Sequence, residues 1–251
     1  MKAVKMQPQN FLKRFTTFWW GDNGLTALLL MILLISMLAP LVRSDASSLI
    51  ISIFLSLVLL SGIRTISKKR LCRAGATVLA LAVIILTWMK NFYPSSRSLH
   101  SWSDLVAVIY FVLLTVVVMR HVFQEGPVTG DRVRGAIAAY ILVGFTWAIL
   151  YHLIELRLPG SFRFPETNAA AIYTVRQSDF TYFSFITMTT VGYGDITPIN
   201  PLARMFAVME GLIGQLYPAT LLARLVSLQI MHRDDEAARE KKKQEISGHE
   251  V

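Results

Sequence analysis

Charge is scarce in this chain of 251 residues. Asp, Glu, Lys and Arg together make up 16%, against about 25% in ordinary soluble domains. A soluble fold of this length needs a polar surface that such a composition does not supply. Cysteine is nearly absent as well. Cys72 stands alone beside Arg70 and Arg73, so no internal disulfide and no thiolate metal site can form. No dinucleotide fingerprint, metal-ligand cluster or nucleophile motif occurs, which removes the commonest enzyme classes. Hydrophobic residues reach 54%, far too many for a disordered chain. Long apolar runs separated by short loops are what remain, and they describe an all-α integral membrane protein.

Six runs are candidates to cross a bilayer: residues 25–42, 46–63, 74–89, 105–119, 135–154 and 201–230. Eighteen residues give about 27 Å of helix, close to the hydrocarbon thickness. The first run begins too far into the chain, and is too long, for a cleaved signal peptide. The net charge of +9 suits cytoplasmic loops rather than nucleic acid, because no basic stripe lies on a polar helix. With both termini inside, 18 of the 25 Lys and Arg residues fall on the cytoplasmic side and 7 outside. Trp88, Tyr93, Trp102 and Tyr151 then lie near outer ends of the spans, and Trp19 and Trp20 near an inner one. Aromatic residues favour these interfaces.

The segment between the fifth and sixth runs is of another kind. Pro159, Gly160 and Pro165 mark an irregular outer loop. The stretch 179–189 is apolar and aromatic but only about 16 Å long as a helix. It is too short to cross and reads as a re-entrant helix, with Ser178 or Asp179 as its N-cap. It leads into Thr190-Val191-Gly192-Tyr193-Gly194-Asp195.

That run, TVGYGD, set between a re-entrant helix and a span, resembles the selectivity filter of potassium channels. Residues 135–230 resemble the pore domain of bacterial potassium channels. The resemblance implies that K+ is the permeant ion, with no cofactor. It also implies a homotetramer in a lipid bilayer, the bacterial inner membrane. The motif has its own physics. A dehydrated potassium ion needs about eight oxygens, and rings of carbonyls supply them. One chain offers one oxygen per layer, so a single copy of the motif calls for four chains. Turning successive carbonyls to one side demands backbone angles of alternating hand, which Gly192 and Gly194 adopt without a Cβ penalty. Thr190, Val191, Gly192 and Tyr193 are the expected K+ ligands. The Val191 and Tyr193 side chains would brace the wall, and Thr189 precedes the ligands. Asp195 stands at the outer mouth, as an anionic ring, as an acceptor behind the filter, or as a solvated carboxylate. Tyr182 is its candidate donor. Some relatives carry two tryptophans where Tyr182 and Phe183 stand, and certain ones carry a glutamate where Ile186 stands.

The sixth run holds Gly211, Gly214 and Pro218, candidates for a gating hinge or for close helix packing. Glu210 is an ionisable residue inside a span. It faces the filter's rear wall or the water-filled cavity, or packs as a neutral or hydrogen-bonded acid against the neighbouring re-entrant helix. A voltage sensor needs a ladder of basic residues in the fourth run, and residues 105–119 carry no charge. The chain thus divides into a cytoplasmic segment (1–24), a four-span domain without sensor charges (25–125), a pore domain (126–230) and a charged tail (231–251). The tail is too short for a cytosolic sensing domain. A transporter would show broken spans in both halves, and a membrane hydrolase a second intramembrane acid beside Glu210. A weakly selective cation pore would depart from the motif at Tyr193.

Overall fold

The structure, a computed structural model, describes residues 70–93, 96–124, 129–165 and 177–248. Five helices and one small sheet make up the described part. They are α1 (Arg70–Phe92), α2 (Arg97–Val122), α3 (Gly130–Arg157), β1 (Phe162–Arg163), α4 (Gln177–Met188), β2 (Thr197–Pro198) and α5 (Pro201–Gly248). The two runs at 25–42 and 46–63 lie outside the described residues.

Among the described residues, three helices are long and apolar enough to cross a membrane: Arg97–Arg120, Arg132–Arg157 and Pro201–Ile230. They correspond to the fourth, fifth and sixth runs. The third run lies in α1, whose apolar part, Ala74–Lys90, is shorter. Helix ends follow local chemistry. Ser96 caps α2 by accepting the Leu99 N–H, and Asn200 Oδ1 accepts the Leu202 N–H ahead of α5. Pro201 holds the first position of α5, where its missing N–H costs nothing.

The helices pack in sequence, α1 on α2, α2 on α3, α3 on α4, and α5 on both α4 and α3. Tyr110, Leu114, Val118, Ala138 and Leu142 are fully buried at the centre of the α2–α3 contact. A second core lies behind α4, built from Tyr151, Phe162, Phe180 and Phe183. Its rings meet edge to face: Tyr151 on Phe183 at 5.1 Å and 72°, Phe162 on Phe180 at 5.1 Å and 76°. Such pairs each add about 0.5–1.5 kcal/mol beyond the area they bury.

Two findings adjust the sequence reading. The outer loop after α3 is not wholly irregular, because Phe162 pairs antiparallel with Pro198 and Arg163 with Thr197. Two-residue strands carry no periodic signal, so nothing in the sequence marks them. The N-cap expected at Ser178 or Asp179 comes late, since α4 already begins at Gln177. Asp179 sits in the first turn, where a carboxylate still offsets the helix dipole. The helical backbone of α5 also continues past residue 230 to Gly248, across the expected boundary of the tail.

Candidate functional site

The site begins where α4 stops. The Val191 N–H reaches back to the Ile186 carbonyl at 2.9 Å, and the Thr190 N–H to the Thr187 carbonyl at 3.0 Å. These are the two bonds of a Schellman ending, which needs a left-handed residue between helix and exit. Thr190 fills that place with φ of 60°. A β-branched residue there is an outlier, at a cost of about 1–3 kcal/mol. Gly192 and Gly194 follow with φ of 49° and 79°. Residues 190, 192 and 194 are therefore left-handed, and 191 and 193 are not. The backbone alternates in hand along the whole run, and Thr190 joins the two glycines named from sequence.

From Thr189 to Asp195 every side chain is exposed on the single chain. Val191 is 51% and Tyr193 73% exposed. At the far end of the run, the Tyr182 hydroxyl donates to Asp195 Oδ2 at 2.8 Å. A carboxylate oxygen only accepts, so the phenol is the donor of this bond. Asp195 Oδ1 accepts the Ile196 N–H at 3.0 Å, so both carboxylate oxygens are engaged. At the near end, Gln215 Nε2 of α5 stands 3.4 Å from Thr190 Oγ1. The Thr189 hydroxyl is turned back into α4, donating to the Phe185 carbonyl at 2.6 Å.

The glycines of α5 separate. A Cβ on Gly214 would lie 2.2 Å from the Met188 carbonyl oxygen and 2.8 Å from Met188 Cγ, whereas one on Gly211 would meet nothing within 4 Å. Gly214 is thus the point where α5 touches the last turn of α4. A side chain there would block the approach of the two helices. Pro218 lies inside α5 without ending it. Having no N–H, it leaves the Gly214 carbonyl without its helical donor. The Tyr140 hydroxyl stands 3.5 Å from that carbonyl and 3.4 Å from the Met188 carbonyl.

Glu210 is fully buried. The Tyr151 hydroxyl lies 2.7 Å from Oε2, and Ser184 Oγ lies 2.5 Å from Oε1. Glu210 thus lies against the short helix α4, beside Ser184. Ile186 is buried on α4.

A second polar cluster escaped the sequence reading. Asp104 joins Lys90 at 2.7 Å and His152 Nδ1 through its other oxygen, and the His152 ring packs edge-on against Phe180. It ties α1, α2, α3 and α4 together at one end. Lys90 and Asp104 flank the short α1–α2 connection, which was the available signal. At the opposite end, Arg224 Nη2 donates to the Phe123 carbonyl at 2.8 Å, with the guanidinium over the Phe123 ring. Between these ends, residues 105–119 of α2 cross without a charge.

Residues 139–229 match a family described as "Ion channel". The chain is also similar to Two pore potassium channel c of Oryza sativa subsp. japonica, 35% identical over 91 residues, which is 36% of this chain and 17% of that protein. Protein LctB of Geobacillus stearothermophilus is 33% identical over 86 residues, 34% of this chain and 62% of that protein. The Voltage-gated potassium channel Kch of Escherichia coli (strain K12) is 28% identical over 152 residues, 60% of this chain and 31% of that protein. The chain thus spans less than two thirds of the length of each. The chain thus combines apolar helices long enough to cross a membrane with a region similar to an ion-channel family and with likeness to proteins named as potassium channels.

Proposed function

We propose that this protein is a potassium-selective channel whose pore is formed by four copies of the chain, each contributing Thr190–Gly194. The observation that carries the reading is the alternation of positive φ at Thr190, Gly192 and Gly194. Alternating hand turns successive carbonyls toward one side. Four chains around an axis then stack rings of four oxygens, and two adjacent rings replace the water shell of one K+. Thr190, Val191, Gly192 and Tyr193 are the ligands in this reading. Asp195, braced by Tyr182, concentrates cations at the outer mouth.

Fourfold assembly is supported by what the single chain leaves bare. Among the residues of α5 whose burial is described, up to Ile230, the buried ones are Ala203, Glu210, Gly214 and Tyr217, one narrow stripe. Val208, Leu212 and Leu216 on its other faces are exposed, as are Val191 and Tyr193. Neighbouring copies and lipid would cover them. Both termini lie in the cytoplasm, and the membrane is the bacterial inner membrane.

Opening is not strongly driven by voltage. Moving one charge through 100 mV supplies about 2.3 kcal/mol, and residues 105–119 hold no charge to move. The similarity to a relative named as voltage-gated does not supply one. The deciding measurement is the reversal potential of the purified chain in a planar bilayer, with potassium on one side and sodium on the other. A potential near the potassium equilibrium value is expected. Equal permeability to both ions would replace this reading with a weakly selective cation pore.

A further inference from the structure

Behind the proposed filter, Ser184 of α4 sits between two oxygens. Its Oγ is 2.7 Å from the Gly144 carbonyl of α3 and 2.5 Å from Glu210 Oε1 of α5. A hydroxyl has one hydrogen to give, and a carbonyl has none. If Glu210 were a carboxylate, one of these two short contacts would set lone pairs against lone pairs. A bare charge would also be left fully buried within a span, where it is costly. Glu210 stands apart from the ion-paired cluster of Lys90, Asp104 and His152. Among the described residues, the titratable groups near it are phenols of α3, Tyr151 by hydrogen bond and Tyr140 farther off. From α4 it meets the Ser184 hydroxyl.

We infer that Glu210 is held as a neutral carboxylic acid whose proton is the middle link of a hydrogen-bond chain, Tyr151 to Glu210 to Ser184 to the Gly144 carbonyl, fastening α3, α4 and α5 together behind the filter. In this chain each hydrogen is used once and each oxygen accepts as it should. Tyr151 donates to Oε2, Glu210 donates from Oε1 to Ser184, and Ser184 donates to Gly144. The inference rests on the channel reading for its consequence. Glu210 is a positioning residue, acting on the ion path only through α4. Removing its proton turns the Glu210–Ser184 link, or the Ser184–Gly144 link, into a repulsion. Alkaline pH should therefore loosen the helix that ends at Thr190.

The test uses the full chain in reconstituted vesicles, with potassium flux followed from neutral to strongly alkaline pH. Flux through the wild type should fall as pH rises. Glu210→Gln keeps one acceptor for Tyr151 and one donor for Ser184. It should match the wild type within about twofold at neutral pH and lose the alkaline decline. Glu210→Ala strands both partners and should cost about tenfold in flux. The inference is overturned if Glu210→Gln is as damaging as Glu210→Ala, or if its alkaline decline is unchanged. Infrared spectra of the purified wild type should contain the carbonyl stretch of a protonated carboxylic acid. Absence of that band overturns the inference even if the variants do not fold. A wild type that passes no potassium yet shows the band would instead sink the channel reading and leave the neutral acid standing.

Discussion

The two sides of α4 are built on opposite principles. Its rear, with Phe180, Ser184 and Met188 fully buried, is packed by aromatic rings and a closed polar cluster supplied by the same chain. Its forward end, from Thr189 to Asp195, is exposed, strained at Thr190 and held by few bonds. The rear is therefore satisfied within one chain, while the front is left bare, as the proposed pore of four copies requires. A helix fixed rigidly from behind can hold a strained exit in place, and this division explains why the two belong together.

If that division is right, damage to the front should destroy function and spare the fold. Gly192→Ala is the sharpest case. Nothing lies within 4 Å of a Cβ built there, but φ is 49°, so the penalty is in the backbone. It amounts to about 1–2 kcal/mol per chain, incurred four times in the proposed pore. Potassium-selective current should vanish while the thermal unfolding of the purified protein stays close to wild type. Loss of fold together with current would show that the front is structural after all.

The boundary between the two sides is tested by the α5 glycines. Gly214→Ala drives a methyl into the Met188 carbonyl, the last residue of α4, whereas Gly211→Ala has open space on the single chain. Overpacking of this kind costs about 1–3 kcal/mol. Gly214→Ala should lower both the unfolding temperature and the current, and Gly211→Ala should leave both nearly unchanged. Equal effects on opening from the two variants, with stability intact in both, would restore the hinge reading.

Much of the front was legible because its chemistry is local. The motif, the short helix before it and the Tyr182–Asp195 pair all fall within 19 residues of sequence, from 177 to 195. The rear was not legible, because its partners are remote. Glu210 meets Tyr151 across 59 positions and Ser184 across 26, and no periodicity announces such contacts. Glu210 was visible as an ionisable residue in a span, but its direction was not. Thr190 was missed as a left-handed residue because the usual signal for that helix ending is glycine, and here a threonine is forced into it. Gly214 and Gly211 look alike in sequence. Only the proximity of Met188 separates them.

The smallest expected effect lies at the outer edge of the front, where Tyr182→Phe removes a single hydroxyl. That hydroxyl donates to Asp195 at 2.8 Å and is exposed on the single chain, so water can substitute for it in part. Asp195 would keep its bond from the Ile196 N–H and remain an anion at the mouth. The ion-binding backbone from Thr190 to Gly194 is not touched, so the potassium-to-sodium permeability ratio should hold. What should change is how long the front keeps its shape. With one of the two carboxylate oxygens released, the outer end of the run loses its tie to α4, and sustained current should decay about threefold faster. Asp195→Asn should speed decay similarly and also reduce inward current at low potassium, because it removes the charge as well as an acceptor. Macroscopic recordings under steady driving force, comparing decay rate and reversal potential in the same patch, separate these effects. A Tyr182→Phe channel with an altered permeability ratio but unchanged decay would mean that the pair shapes the ion ligands themselves. The division between a rigid rear and a merely tethered front would then have to be redrawn.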